Sequence, residues 1–261
     1  MRSDQQLQQY QALPGLIRAG HIHYEGPIPM KGRCIMMCAG EFHPMKIERE
    51  PGDWVIAVDG GLKYLDKYGI EPDFLLGDFD SLGAEYAGVV AKYRAMGDDH
   101  FRQFNFVKDD TDTMAAARLG ISRGYKEFLI YGGLGGRLDH TMANIQTLVW
   151  ILRNGGRAWL LDRDTRVTVL GPGEFRIPED FAGTVSLFAL DECLENVTIR
   201  GMKYEVENAA VTNDYPVGCS NETVQRADGA QGLFSIGKGT GLLVMTRKLI
   251  NDGGVRFCPP G

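Results

Sequence analysis

The stretch FLIYGGLGGRLDHTMANIQTLVWILRNGG, residues 128–156, decides the fold. Its first four residues are apolar and read as a buried strand. The glycine-rich 132–136 read as a turn, and the remainder as an amphipathic helix stopped by Gly155 and Gly156. At about 100° per residue, Leu138, Met142, Ile145, Val149 and Leu152 share one stripe, and Arg137, His140 and Asn144 share another. That spacing predicts an apolar face packed on a sheet and a polar face turned outward near the helix start.

Working outward, short apolar runs at 34–39, 54–58, 74–76 and 104–107 precede this unit, with helix-like stretches at 83–96 and 111–123 between them. Such alternation predicts an α/β fold with a Rossmann-like, mostly parallel sheet over residues 31–159, covered on both faces. After residue 160 the rhythm changes. Runs at 167–170, 184–188, 197–199, 223–224, 233–236 and 242–246 are separated by Gly, Pro, Asn and Asp. They predict a C-terminal antiparallel β-sandwich or barrel over 160–261, with Gly237, Gly239 and Gly241 marking a hairpin. Residues 1–30 carry no periodic signal and read as an N-terminal arm.

Composition narrows the function. The net charge of −6 and pI near 5.4 disfavour a broad basic face for nucleic acid and suit a small cationic ligand. The five cysteines (Cys34, Cys38, Cys193, Cys219, Cys258) form neither a CxxC pair nor a zinc-type cluster. No apolar run reaches the roughly 20 residues of a membrane span. A cytoplasmic protein that binds neither membrane nor nucleic acid is the expectation.

The chemistry concentrates where carboxylates follow apolar runs. Asp59 follows 54–58, and Asp78 and Asp80 follow 74–76. Asp109 and Asp112 follow 104–107, and Asp139 stands beyond the glycine-rich loop. In open parallel sheets ligands bind beyond the carboxyl ends of the strands, so segments far apart in sequence can converge there. Clustered carboxylates repel one another unless a hard cation such as Mg²⁺ neutralises them, and Mg²⁺ prefers phosphate oxygens as its remaining ligands. The loop Gly132-Gly133-Leu134-Gly135-Gly136-Arg137 offers backbone N–H groups, a helix start and a guanidinium to such phosphates. It is not a P-loop, because GxxxxGK[ST] is absent.

Taken together, D59-GG, PDFLLGDFDS (72–81), KDDTD (108–112), GGLGGRLDHTMAN (132–144), GMKY (201–204) and CSNE (219–222) resemble the thiamine pyrophosphokinase family. The motifs stand in the family's order and span residues 34 to 247. The resemblance implies a nucleotide-binding α/β domain followed by a thiamine-binding β-sandwich. It implies a homodimer with active sites between subunits, and transfer of the diphosphoryl group of ATP to thiamine, giving AMP and thiamine diphosphate. By that resemblance Asp59, Asp78, Asp80 and Asp109 hold Mg²⁺ and serve catalysis, and Asp139 assists deprotonation of the thiamine hydroxyl. Asp112 supports those carboxylates at the substrate site, Arg137 holds the phosphates, Gly135, Gly136, His140 and Asn144 join it in binding substrate, and Tyr204, Ser220 and Asn221 meet thiamine. Tyr204 stands where some relatives carry a bulkier Trp, and Met114 departs from a more polar position. Two rival readings remain. Asp78-Phe79-Asp80 matches the DxD of nucleotide-sugar glycosyltransferases, which leaves the D-x-T-D element and the glycine loop without a role. A non-catalytic thiamine or nucleotide sensor has no need of so many metal ligands.

Overall fold

The computed structural model describes residues 32–103, 110–178, 181–224 and 232–247. Its first half alternates strands and helices as the runs predict. The strands are β1 (Arg33–Met37), β2 (Trp54–Val58), β3 (Phe74–Gly77), β4 (Phe101–Gln103), β5 (Glu127–Tyr131) and β6 (Arg157–Leu161). The helices are α1 (Leu62–Lys67), α2 (Ala87–Met96), α3 (Asp112–Ser122) and α4 (Leu138–Arg153). The expected run at 104–107 lies outside the described residues.

These six strands pair in parallel in the order β6-β5-β1-β2-β3-β4. Alternate side chains point to opposite faces, so each central strand feeds two cores. Met36, Ile56, Phe74 and Ile130 pack with α3 and α4 on one face. Ile35, Val55, Leu75 and Leu129 pack with Leu62 and Leu65 of α1 and Tyr93 of α2 on the other. Both faces are buried, which explains why the strands read as unbroken apolar runs.

Local chemistry sets the helix ends. The Thr111 hydroxyl caps α3 by accepting from the Met114 N–H at 3.2 Å. Gly155, at φ 72°, ends α4: its N–H donates to the Leu152 carbonyl and that of Gly156 to Ile151, both at 3.0 Å. This is the paired 5→2 and 6→1 closure that only a left-handed residue permits without strain.

The face that α4 buries differs from the predicted stripe. Asn144, Thr147, Leu148, Ile151 and Leu152 are buried, whereas Leu138 and Met142 are 75% and 52% exposed. The helix is turned by roughly one residue position from the predicted stripe. Two satisfied polar groups make this possible: the Asn144 amide donates to the Gly133 carbonyl at 2.8 Å, and the Thr147 hydroxyl to Ala143 at 3.0 Å.

The second half adds β7 (Thr165–Leu170), β8 (Gly173–Arg176), β9 (Gly183–Ala189), β10 (Cys193–Arg200), β11 (Val206–Thr212), β12 (Asn221–Glu222), β13 (Leu233–Ile236) and β14 (Gly241–Arg247). Four of these continue the first sheet. β7 turns back antiparallel on β6, and β14, β9 and β12 follow, giving ten strands in the order β12-β9-β14-β7-β6-β5-β1-β2-β3-β4. A second antiparallel sheet, β11-β10-β13-β8, covers this extension. Between them Val185, Leu187, Leu243 and Met245 meet Leu194, Val197, Phe234 and Ile236. The expected antiparallel sandwich is therefore present. The expected hairpin at Gly237, Gly239 and Gly241 is not, because β13 belongs to one sheet and β14 to the other. Those glycines carry the chain between layers, where a methyl group on Gly241 would lie 2.9 Å from Leu187 Cδ1.

Candidate active site

Strands β2 and β3 run side by side with Val58 opposite Leu76, so their carboxyl ends deliver Asp59 and Gly77-Asp78 to the same place. The approach is close: a methyl group on Gly77 would fall 2.9 Å from the Asp59 Cα. Asp59 and Phe79 both hold left-handed backbone, at φ 51° and 64°. Such geometry costs a non-glycine residue roughly 1–2 kcal/mol, and more for Phe than for Asp. Hydrogen bonds hold it. Asp59 Oδ1 accepts from the Phe79 N–H at 3.1 Å and Oδ2 from the Ser81 hydroxyl at 3.0 Å, while Asp78 Oδ1 accepts from the Asp80 N–H at 3.2 Å. The Lys63 ammonium donates to the Ser81 carbonyl and tethers the loop to α1.

The result is a trio. Asp59, Asp78 and Asp80 each present a carboxylate oxygen within 4.8 Å of the others. Among the described residues none of the three pairs with a cationic side chain. The Asp78 carboxylate, helped by partial desolvation and by Asp59, pushes the Asp80 carboxyl above its ordinary range. Crowded like charges with hard oxygen donors are a chemistry that a divalent cation relieves.

The other expected residues divide into those near this end of the sheet and those remote from it. Asp109 lies outside the described residues. Asp112 opens α3, whose Thr113 hydroxyl is 3.5 Å from Cys38 Sγ at the end of β1. The glycine loop follows β5, next to β1, with Gly135 and Gly136 at φ 78° and 64°. Arg137 and Asp139 are exposed and form a bidentate ion pair at 2.6 and 3.2 Å. Hydrogen bonds from Arg137 hold the Asp139 carboxyl below its usual range. His140 is exposed at the helix start, and its N–H donates to Asp139 at 3.0 Å. Asn144 is buried beneath the loop, bonded to Gly133.

Tyr204, Ser220 and Asn221 also come together, but elsewhere. The Asn221 side chain accepts from the Tyr204 N–H at 3.0 Å and donates to its carbonyl at 2.7 Å. Asn221 is buried and works as a clip, while the Tyr204 side chain it positions is 60% exposed. Ser220, at φ 58°, donates its N–H to the buried Ser186 hydroxyl at 2.9 Å.

Sequence reasoning passed over Ser81 and Glu41. Ser81 stands inside the PDFLLGDFDS motif, but its bond to Asp59 depends on backbone shape. Glu41 follows the run 34–39 by two residues, so the rule that selected Asp59 could also have found it.

Comparison with known proteins bears on this geometry. Residues 48–160, which carry the trio and the glycine loop, match the thiamin pyrophosphokinase catalytic domain, and 174–230 match the family's vitamin B1 binding domain. The chain belongs to the thiamine pyrophosphokinase family. It is 31% identical over 193 residues to the thiamine pyrophosphokinase of Bacillus subtilis (strain 168), covering 74% of this chain and 86% of that protein. The crystal structure of thiamine pyrophosphokinase from the same species superposes with a TM-score of 0.71 at 27% identity, over 83% of this chain and 100% of that one. That from Geobacillus thermodenitrificans gives 0.72 at 25% identity, over 84% and 99%. The family is one of enzymes, and its reaction moves the diphosphoryl group of ATP to thiamine.

Proposed function

We propose that this chain transfers the diphosphoryl group of ATP to the hydroxyl of thiamine, with Mg²⁺ held by Asp59, Asp78, Asp80 and Asp109. One observation carries the reading: three carboxylates converge within 4.8 Å inside the segment that matches the catalytic domain. When bound, Mg²⁺ supplies neutralising charge to the phosphate oxygens. The thiamine hydroxyl oxygen attacks the β-phosphorus in line as its proton passes to water; the new O–P bond forms as the bond from that phosphorus to the α-bridging oxygen breaks, and AMP leaves. Such a transfer asks the protein for positioning and charge more than for covalent chemistry.

The glycine loop and the start of α4 suit the phosphate chain. Gly135 and Gly136 leave room beside the backbone for the nucleotide, Arg137 pairs with the phosphate oxygens, Asn144 fixes the loop from below, His140 supports the rim, and Asp112 supports the carboxylates. The ion pair with Arg137 favours an orienting role for Asp139 over a proton-accepting one, since a carboxyl held low is a weaker base. Tyr204 offers an aromatic face to the cationic thiazolium, with Asn221 and Ser220 fixing its surroundings.

A homodimer with active sites between subunits is part of this reading. β12, which carries Asn221, and β2, which Asp59 follows, are seven strand positions apart in one sheet. At about 4.8 Å per strand this is roughly 34 Å, too far for one small molecule to span. The exposed Tyr204, Val206, Tyr215 and Val217 provide apolar surface for a second copy. A cytoplasmic setting completes the proposal; no helix among the described residues is long and apolar enough to cross a membrane.

The test is AMP and thiamine diphosphate formation by purified protein from ATP, thiamine and Mg²⁺, with an EDTA control. Stoichiometric, EDTA-sensitive formation of both is expected. ADP with thiamine monophosphate would make it a γ-phosphoryl kinase, and binding without turnover would favour the sensor reading.

A further inference from the structure

The loop after β1 is fastened on both sides of one residue. Cys38 donates its N–H to the Tyr131 carbonyl at 2.8 Å and Gly40 to Gly132 at 3.0 Å, while the Tyr64 hydroxyl donates to the Gly40 carbonyl at 2.9 Å. Phe42 packs among the rings of Tyr64, Tyr68 and Tyr131, with centroids 5.3, 5.7 and 6.4 Å away. His43 donates its N–H to Asp162 Oδ1 at 3.2 Å, and its Nδ1 lies 2.8 Å from Oδ2. Between these anchors stands Glu41. Its carboxylate has no hydrogen-bond or ion-pair partner among the described residues, and it lies against the glycine loop. A methyl group on Gly135 would meet Glu41 Oε2 at 2.7 Å, and one on Gly136 would meet its Cγ at 3.6 Å.

Glu41 therefore sits where β1 and β5 adjoin, the point at which the parallel strand order reverses and ligands enter open sheets. We propose that Glu41 selects the nucleotide, its carboxylate accepting hydrogen bonds from the two adjacent ribose hydroxyls of ATP. The proposal rests on reading the crevice as an ATP site. An ionised carboxylate accepts hydrogen bonds and repels bare phosphate, and Glu41 stands outside the carboxylate trio that could hold a cation, so the partner that suits it is a donor outside the triphosphate. With the phosphates toward the aspartate trio and Arg137, the ribose is the next group along the nucleotide. Its neighbouring hydroxyls match two carboxylate oxygens, whereas the adenine amino group is flanked by ring nitrogens that the carboxylate would repel.

Calorimetric titration of wild type, Glu41→Ala and Glu41→Gln with ATP, 2′-deoxyATP and 3′-deoxyATP tests this, with thiamine diphosphate formation followed in parallel. Hydrogen bonds to a charged group are strong enough that the wild type should favour ATP over either deoxynucleotide by about tenfold or more. Glu41→Ala should bind all three alike, Glu41→Gln with its one acceptor oxygen should fall between, and the kinetic change should appear in KM for ATP rather than in kcat. All three proteins should melt alike, because the carboxylate supports no other group. A wild type that ignores the ribose hydroxyls, or a Glu41→Ala variant that keeps the preference, overturns the proposal even if turnover is normal. Ribose selectivity without thiamine diphosphate would instead sink the functional reading and leave Glu41 standing, and a wild type that binds no ATP would sink both.

Discussion

Strands β2 and β3 each have an aspartate at both ends, and the two pairs are treated in opposite ways. At the amino ends, Asp53 and Asp73 are saturated. Asp53 accepts from the Arg33 guanidinium at 2.5 Å, the Arg33 N–H at 2.8 Å and the Glu50 N–H at 2.9 Å, and its side chain is 1% exposed. Asp73 takes both oxygens to Arg49 at 2.7 Å and accepts from the Val55 N–H at 2.8 Å. At the carboxyl ends, Asp59, Asp78 and Asp80 face one another without a cationic partner among the described residues, on backbone that includes two left-handed non-glycine positions. One residue type five or six positions apart thus supports the fold at one end and opposes it at the other. Charge left uncompensated in the folded chain is charge available to a ligand.

The largest effect should come from Asp78→Asn or Asp80→Asn. Each should cut turnover by about 10³-fold, the scale of removing one electrostatic contact from a phosphoryl-type transition state, while the thermal midpoint in EDTA stays level or rises. An unfolded or fully active variant would break the contrast. Next comes Asp53→Asn, which leaves Arg33 without its buried partner. A denaturant melt should show a loss of about 3 kcal/mol, with kcat of the folded fraction within about twofold of wild type. A stable but inactive Asp53→Asn would mean that the amino end also serves chemistry.

The smallest and sharpest difference lies in pH. Burial works to raise the Asp53 carboxyl, but the hydrogen bonds from Arg33 and Glu50 outweigh it and hold the group below its ordinary value. Its stabilisation is then fully present above the unfolded carboxylate value of about 4 and is lost as pH falls through the lower folded value. Asp80 has the opposite sign, because Asp78 raises it. In metal-free protein, stability linked to Asp80 should grow as pH falls through its raised folded value toward the unfolded one. Melting curves from pH 3 to 7 in EDTA should therefore show the wild type converging with Asp53→Asn at the acid end. Wild type and Asp80→Asn should instead differ most near neutrality. Parallel curves for all three proteins would remove the distinction.

Much of this was legible in the sequence, for identifiable reasons. β2 matches its apolar run at both ends, and β1, β3 and β5 match theirs to within one or two residues, since strands buried on both faces leave a continuous signal. The aspartates after β2 and β3 converge as strand–helix alternation predicts. The buried face of α4 was misread because Asn144 and Thr147 are polar by composition yet satisfied by the backbone, which periodicity does not register. The glycines at 237–241 looked like a hairpin because a link between layers and a turn within one use the same residues. Glu41 follows its apolar run much as Asp59 does, but its place against the glycine loop depends on Phe42 and His43 finding partners 22 to 119 positions away. Asp109 lies outside the described residues, and its role rests on sequence alone.

The continuous ten-stranded sheet also limits how the molecule can move. Two domains on a linker can close on a substrate like jaws, but here the antiparallel pairing of β6 with β7 welds the halves into one beam. No hinge crosses that weld without breaking a row of backbone hydrogen bonds. The span from Tyr204 to the aspartates therefore behaves as a fixed ruler. Bending this beam is therefore not a way for the molecule to close on a substrate.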